Sequence, residues 1–136
     1  MAENIKLEVV TPDKAVVNED AKIVMSPGSF GEFGVLSGHT PFLTSLKVGS
    51  IRYTDVDGKD HFVFINGGFA EALPDKVTVL AESAERRNAI DLDRAQNAME
   101  RAEKRLSGAN KEEIDNVRAK ASLERAMLRI SLAKTR

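Results

Sequence analysis

The chain has no cysteine and no tryptophan, one tyrosine (Tyr53) and two histidines, His39 and His61. Without cysteine there is neither a disulfide nor a thiolate metal site. Two histidines without an HExxH-type spacing leave no donor set for a dedicated metal site, and none is expected. No apolar run approaches the roughly 18 residues of a membrane span, and the opening residues do not read as a signal peptide. Direct membrane insertion is therefore not expected, and any membrane contact should run through a partner protein. Charge of one sign is lacking too. With 20 basic against 21 acidic side chains the net charge is −1, which argues against nucleic acid, a partner that calls for a strong basic excess. A soluble, reducing, cytoplasmic setting fits these absences.

What is present is unevenly spread. The 136 residues suffice for one ordinary domain or two small ones. Residues 1–110 carry 13 basic and 17 acidic side chains, whereas residues 111–136 carry 7 and 4. A basic tail on a mildly acidic body points to an acidic partner surface or a bound anion; the alternative is a solvated helix face with no partner.

Over residues 5–81 apolar residues recur with period two, the pattern of strands with one buried face. Strands are predicted over residues 5–9, 21–25, 42–48, 50–54, 61–65, 69–73 and 76–81. Asp57-Gly58 reads as a hairpin turn, and Asn66-Gly67-Gly68 and Pro74-Asp75 as breaks. Short strands with frequent turns and no helical segment between them predict an antiparallel β-sandwich or flattened barrel. The least ordinary segment is residues 27–41, which hold four of the nine glycines, two of the four prolines and His39. Threaded with Phe30, Phe33, Val35 and Leu36, it reads as a constrained loop and short strand against a core.

Near Glu82 the composition shifts to Ala, Glu, Lys and Arg, and residues 82–89 read as a connection. Beyond it Leu92, Ala95, Met99, Ala102 and Leu106 form one helical stripe, and Ala119, Leu123, Ala126, Ile130 and Ala133 a second. Ser107-Gly108-Ala109-Asn110 separates them, with Gly108 as a left-handed cap. The fold class is thus α+β in two parts: a β-sandwich over residues 1–84 and an antiparallel helical hairpin over residues 85–136. Stripes rich in alanine bury little area, so the hairpin should be weakly held.

In order and spacing, Gly31-Glu32-Phe33-Gly34, then Gly38-His39-Thr40-Pro41 before Phe42-Leu43-Thr44, resemble the ε subunit of bacterial F-type ATP synthases. Ser37 stands where that family commonly has proline. Ile65-Asn66-Gly67-Gly68-Phe69 and Val77-Thr78-Val79-Leu80-Ala81 look like the family's later strands, so the likeness runs nearly end to end. It implies a non-catalytic central-stalk subunit that couples rotation of the membrane ring to ATP synthesis. It further implies restraint of ATP hydrolysis through the C-terminal helices. The γ subunit, the membrane c-ring and the catalytic α and β subunits are the implied partners, and the cytoplasmic face of the bacterial membrane the implied place. Glu32 and His39 fall where the family's sandwich faces the ring. A hydrolase using Glu32 with His39 or His61 lacks any accompanying nucleophile motif.

Ile90-Asp91-Leu92-Asp93-Arg94-Ala95 matches the Ile/Leu-Asp-x-x-Arg-Ala motif of ATP-binding family members. By that resemblance Glu85, Ile90, Asp91, Arg94, Ala95, Arg101, Arg125 and Arg129 form a site for ATP as a regulatory ligand, with no cofactor required. An aspartate can accept from an adenine amine, and arginines offer forked donors to phosphate. The competing readings are Asp91 as an N-cap and Arg101 in helical ion pairs. No Walker-type loop is present, so the site would sense nucleotide and not hydrolyse it. Arg118, Lys120, Arg125 and Arg129 are expected to present a basic face to the β subunit. A free-standing nucleotide-binding module without a rotor role is the alternative function.

Overall fold

Period-two burial runs through much of the first part of the chain, broken where Ser26-Pro27-Gly28 and Val63-Phe64-Ile65 are buried in succession. In the computed structural model, which describes residues 4–108 and 113–134, β1 (Ile5–Val10) turns Ile5, Leu7 and Val9 inward. It is followed by β2 (Ala15–Gly28), β3 (Gly31–Val35), β4 (Phe42–Asp55), β5 (Asp60–Ala72), β6 (Lys76–Ala81) and β7 (Ala84–Arg86). Val17, Ala21 and Val24 of β2, Ile51 and Tyr53 of β4, Val63 and Ile65 of β5, and Val77 and Val79 of β6 share one core with them. Each Val, Leu or Ile so buried stabilises by about 1.5–3 kcal/mol relative to exposure.

Hydrogen bonding closes the sheet on itself. The strand path runs β1–β6–β5–β4–β2, and β2 pairs back onto β1, with β3 attached outside to β2 and β7 to β5. The flattened barrel predicted from the sequence is what forms, with one departure: β1 and β6 pair in parallel. Closure is possible because two strands change partners midway. β2 pairs with β1 up to Ala21 and with β3 and β4 beyond it. β5 pairs with β7 over Val63–Ile65 and with β6 over Gly68–Ala72.

These long strands correct several predicted boundaries. β2 begins before the polar run Asn18-Glu19-Asp20, because Asn18 and Asp20 face solvent while Val17 and Ala21 face the core. Asn66-Gly67-Gly68 does not end a strand; it is the bend at which β5 changes partners. Gly67 and Gly68 have φ of 78° and 141° there, and a Cβ on Gly68 would lie 2.1 Å from the Leu80 carbonyl oxygen. The Asp57-Gly58 turn forms as expected, with the Asp55 carboxylate accepting from the Asp57 and Lys59 amides.

The chain divides into Met1–Arg87 and Asn88–Arg136, so the division falls after Arg87 and not after Ala84. The expected connection over residues 82–89 contains β7 and a single 3-10 turn, Arg87–Ala89. In the second unit α1 (Leu92–Ser107) packs along α2 (Glu113–Lys134). Asp91 caps α1, its Oδ1 accepting from the Arg94 amide at 3.1 Å. Ala95 and Ala102 are buried on α1, and Ala119, Ala126 and Leu132 on α2. Leu132 takes a place expected for Ala133, while Leu123 and Ile130 are half-buried. Gly108 is extended, at φ −72° and ψ 146°, and is not the left-handed cap expected. Ala109 and Asn110, also assigned to that turn, lie outside the described residues. No described helix is long and apolar enough to cross a membrane.

Candidate functional site

The glycine-rich segment folds as the β2–β3 hairpin and the loop leading into β4. Glu32 is exposed on β3, paired in register with Pro27. His39 lies beyond β3; its Nδ1 is 2.6 Å from the Thr40 carbonyl oxygen and its ring meets Phe42 edge to face at 4.9 Å. Phe33 meets the same Phe42 ring at 5.2 Å. Glu32 and His39 therefore line one shallow depression, together with Phe30, Phe33 and Phe42. The tip carries Phe30, 98% exposed, with Leu36 and Leu43 also exposed. A carboxylate set among exposed apolar side chains suits a contact with another macromolecule.

The residues matched to a nucleotide motif are distributed over both units. Glu85 is on β7 of the first. In the second, Ile90 and Asp91 precede α1, which carries Arg94, Ala95 and Arg101, while α2 carries Arg125 and Arg129. Asp91 acts as the N-cap, and Ala95 is buried in the α1 stripe. Arg94 and Arg101 are exposed, and Arg125 donates from Nη2 to Ser122 Oγ at 3.1 Å. On α2, Arg118, Arg125 and Arg129 follow at intervals of seven and four, so they share a side. Lys120 does not share it. At about 100° per residue it sits roughly 200° around from Arg118, in a groove with Leu123, Glu124, Met127 and Leu128. The expected basic face therefore reduces to its three arginines.

Sequence reasoning missed a polar cluster on the barrel. Buried Tyr53 donates to Glu19 Oε2 at 3.0 Å, and Arg86 reaches Tyr53 Oη at 2.9 Å and Glu19 Oε1 at 2.7 Å. Burial, and then the bond to Glu19, push the Tyr53 phenol up to about 12. Partial burial opposes the Glu19 charge, but the Arg86 and Tyr53 bonds outweigh it and hold that carboxyl below its usual range. The His61 ring stacks on Tyr53 at 4.8 Å and places Nε2 2.7 Å from Asp55 Oδ2. That bond, and then the Lys59 amide, lower the Asp55 carboxyl. His61 is thus tied into the β4–β5 turn. The only available sign was a lone tyrosine at an inward strand position. No group of histidine and acidic side chains among the described residues could hold a metal.

Fold and surfaces together define a two-part chain, a closed barrel followed by a pair of helices. The barrel matches the family model "ATP synthase, Delta/Epsilon chain, beta-sandwich domain" over residues 4–87. The helices match "ATP synthase, Delta/Epsilon chain, long alpha-helix domain" over residues 88–134. The chain belongs to the ATP synthase delta/epsilon chain family. It is 62% identical to the ATP synthase epsilon chain of Desulforapulum autotrophicum, over 100% of both chains. The ATP synthase epsilon chain of Nitratidesulfovibrio vulgaris is 53% identical over 96% of each. A chain of the Euglena gracilis mitochondrial ATP synthase (OSCP/F1/c-ring, rotational state 1) shares the fold, with a TM-score of 0.79 at 23% identity. It covers 93% of this chain and 79% of that one.

Proposed function

We propose that the chain is a non-catalytic central-stalk subunit of a proton-translocating F-type ATP synthase, peripheral at the cytoplasmic face of the bacterial membrane. The observation that carries this reading is the full-length, 62% identity to an ATP synthase epsilon chain. The barrel joins the γ subunit and meets the membrane ring through the depression that holds Glu32 and His39. Of the two, Glu32 is the polar contact; the His39 Nδ1 is turned to its neighbour's carbonyl. Tagged chain should bring down γ and the ring proteolipid from solubilised membranes. Reversing the charge with Glu32→Arg should cut ring capture about fivefold or more while γ capture persists. Capture of neither subunit by the unaltered chain would overturn the rotor role, and equal ring capture by the variant would overturn the Glu32 contact.

The helices restrain ATP hydrolysis. In their extended form Arg118, Arg125 and Arg129 meet an acidic segment of the catalytic β subunit, and ATP favours the folded form. A ligand moves such a balance only by its differential affinity for one form. The Asp91 carboxylate, already capping α1 through Oδ1, would accept the adenine amine through Oδ2, and the arginines would hold the phosphates. Calorimetry with Mg-free ATP on the isolated chain should give a saturable heat, lost in Arg94→Ala, a change that spares the cap. No heat at millimolar nucleotide would remove the sensing step.

A further inference from the structure

β7 is three residues long and pairs with β5 alone. So short a strand at the end of a unit frays readily when only backbone bonds hold it. Its last residue supplies more. Arg86 Nε donates to the Val16 carbonyl at 3.1 Å, and its two terminal nitrogens donate to Tyr53 Oη and Glu19 Oε1. Tyr53 donates in turn to Glu19 Oε2, so both carboxylate oxygens are engaged. One guanidinium thus ties β7 to β2 and β4, strands with which it does not pair. The fork geometry suits this task, since a planar guanidinium loses less freedom per bond than an ammonium does. Next to it the Arg87 guanidinium lies 5.0 Å from the Phe62 ring centroid, also on the barrel. One residue further, Asn88 and Ala89 are exposed, and the division between the two units falls there.

We infer that Glu19, Tyr53 and Arg86 form a clamp that closes the barrel's last strand and fixes the joint between the units at residues 88–90. Changes in the pose of the helical unit then end at the joint and do not unzip β7 from β5. This holds whatever the helices regulate, and it requires neither a rotor role nor nucleotide binding.

Amide hydrogen exchange followed by NMR on the full chain tests it. In the unaltered chain those β7 amides that bond to β5 should exchange with the barrel strands, and fast exchange should begin at Asn88. Arg86→Gln should speed exchange at the bonded β7 amides about tenfold or more, leaving the Val77 and Val79 amides of β6 at their original rates. Tyr53→Phe, which keeps the Arg86–Glu19 pair, should give a smaller rise at the same amides. The clamp is wrong if β7 in the unaltered chain exchanges as fast as Asn88, or if Arg86→Gln leaves β7 unchanged. It is equally wrong if that variant speeds β6 and β7 alike, since the cluster would then support the barrel as a whole.

Discussion

Gly68→Ala is expected to destabilise the barrel by about 3 kcal/mol or more. Two costs combine at this position. The backbone has φ of 141°, which a side chain rarely adopts. The added Cβ would also lie 2.1 Å from the Leu80 carbonyl oxygen and 2.9 Å from the Ala81 Cα. Both neighbours are backbone atoms of β6, so no side chain can swing aside; β5 and β6 would have to separate where their pairing begins. Gly38→Ala separates the two costs. Gly38 has φ of 83° but nothing within 4 Å of an added Cβ, so only the conformational cost of about 1 kcal/mol applies. Urea unfolding of both variants, with slopes compared to the unaltered chain, measures the difference. A Gly68→Ala loss no larger than that of Gly38→Ala would show that the bend can relax.

Removing everything after Ala89 is expected to raise ATP hydrolysis by the assembled enzyme about fivefold or more, with assembly intact. The truncated chain keeps all of Met1–Arg87, including β7 and the Arg86 bonds, so the surface proposed to meet γ and the ring is retained. What is lost is the helical pair with Arg118, Arg125 and Arg129, the groups proposed to hold the inhibitory pose. Hydrolysis by membranes reconstituted with full-length or truncated chain, measured beside rotor capture, reads both effects. Unchanged hydrolysis with normal capture would argue against restraint by the helices.

How much of this was open to a reader of the sequence depended on the range of the interactions. The stripe of Leu92, Ala95, Met99, Ala102 and Leu106 was legible because helical burial repeats within a few residues. The Asp57-Gly58 turn was legible for the same reason, as was the shift of composition near Glu82. In sequence the Gly67-Gly68 pair reads as a break, whereas in the fold it lies inside β5. Two glycines in a row usually stop a strand, yet here β4 stays paired along both sides of the bend, from Leu46 with Gly68 to Val48 with Asn66. Lys120 lies near the α2 arginines in sequence, but at about 100° per residue the helix carries it to another side.

The sequence by itself determined the two-part architecture, the period-two core and the family, because each rests on local periodicity or on ordered motifs. Tertiary structure alone decided the closure of the barrel, through β1 lying parallel to β6 and through β2 and β5 changing partners. It alone joined Glu19, Tyr53 and Arg86, residues far apart in the chain. Those pairings depend on which strands come to lie side by side, a long-range outcome of packing that no local pattern encodes.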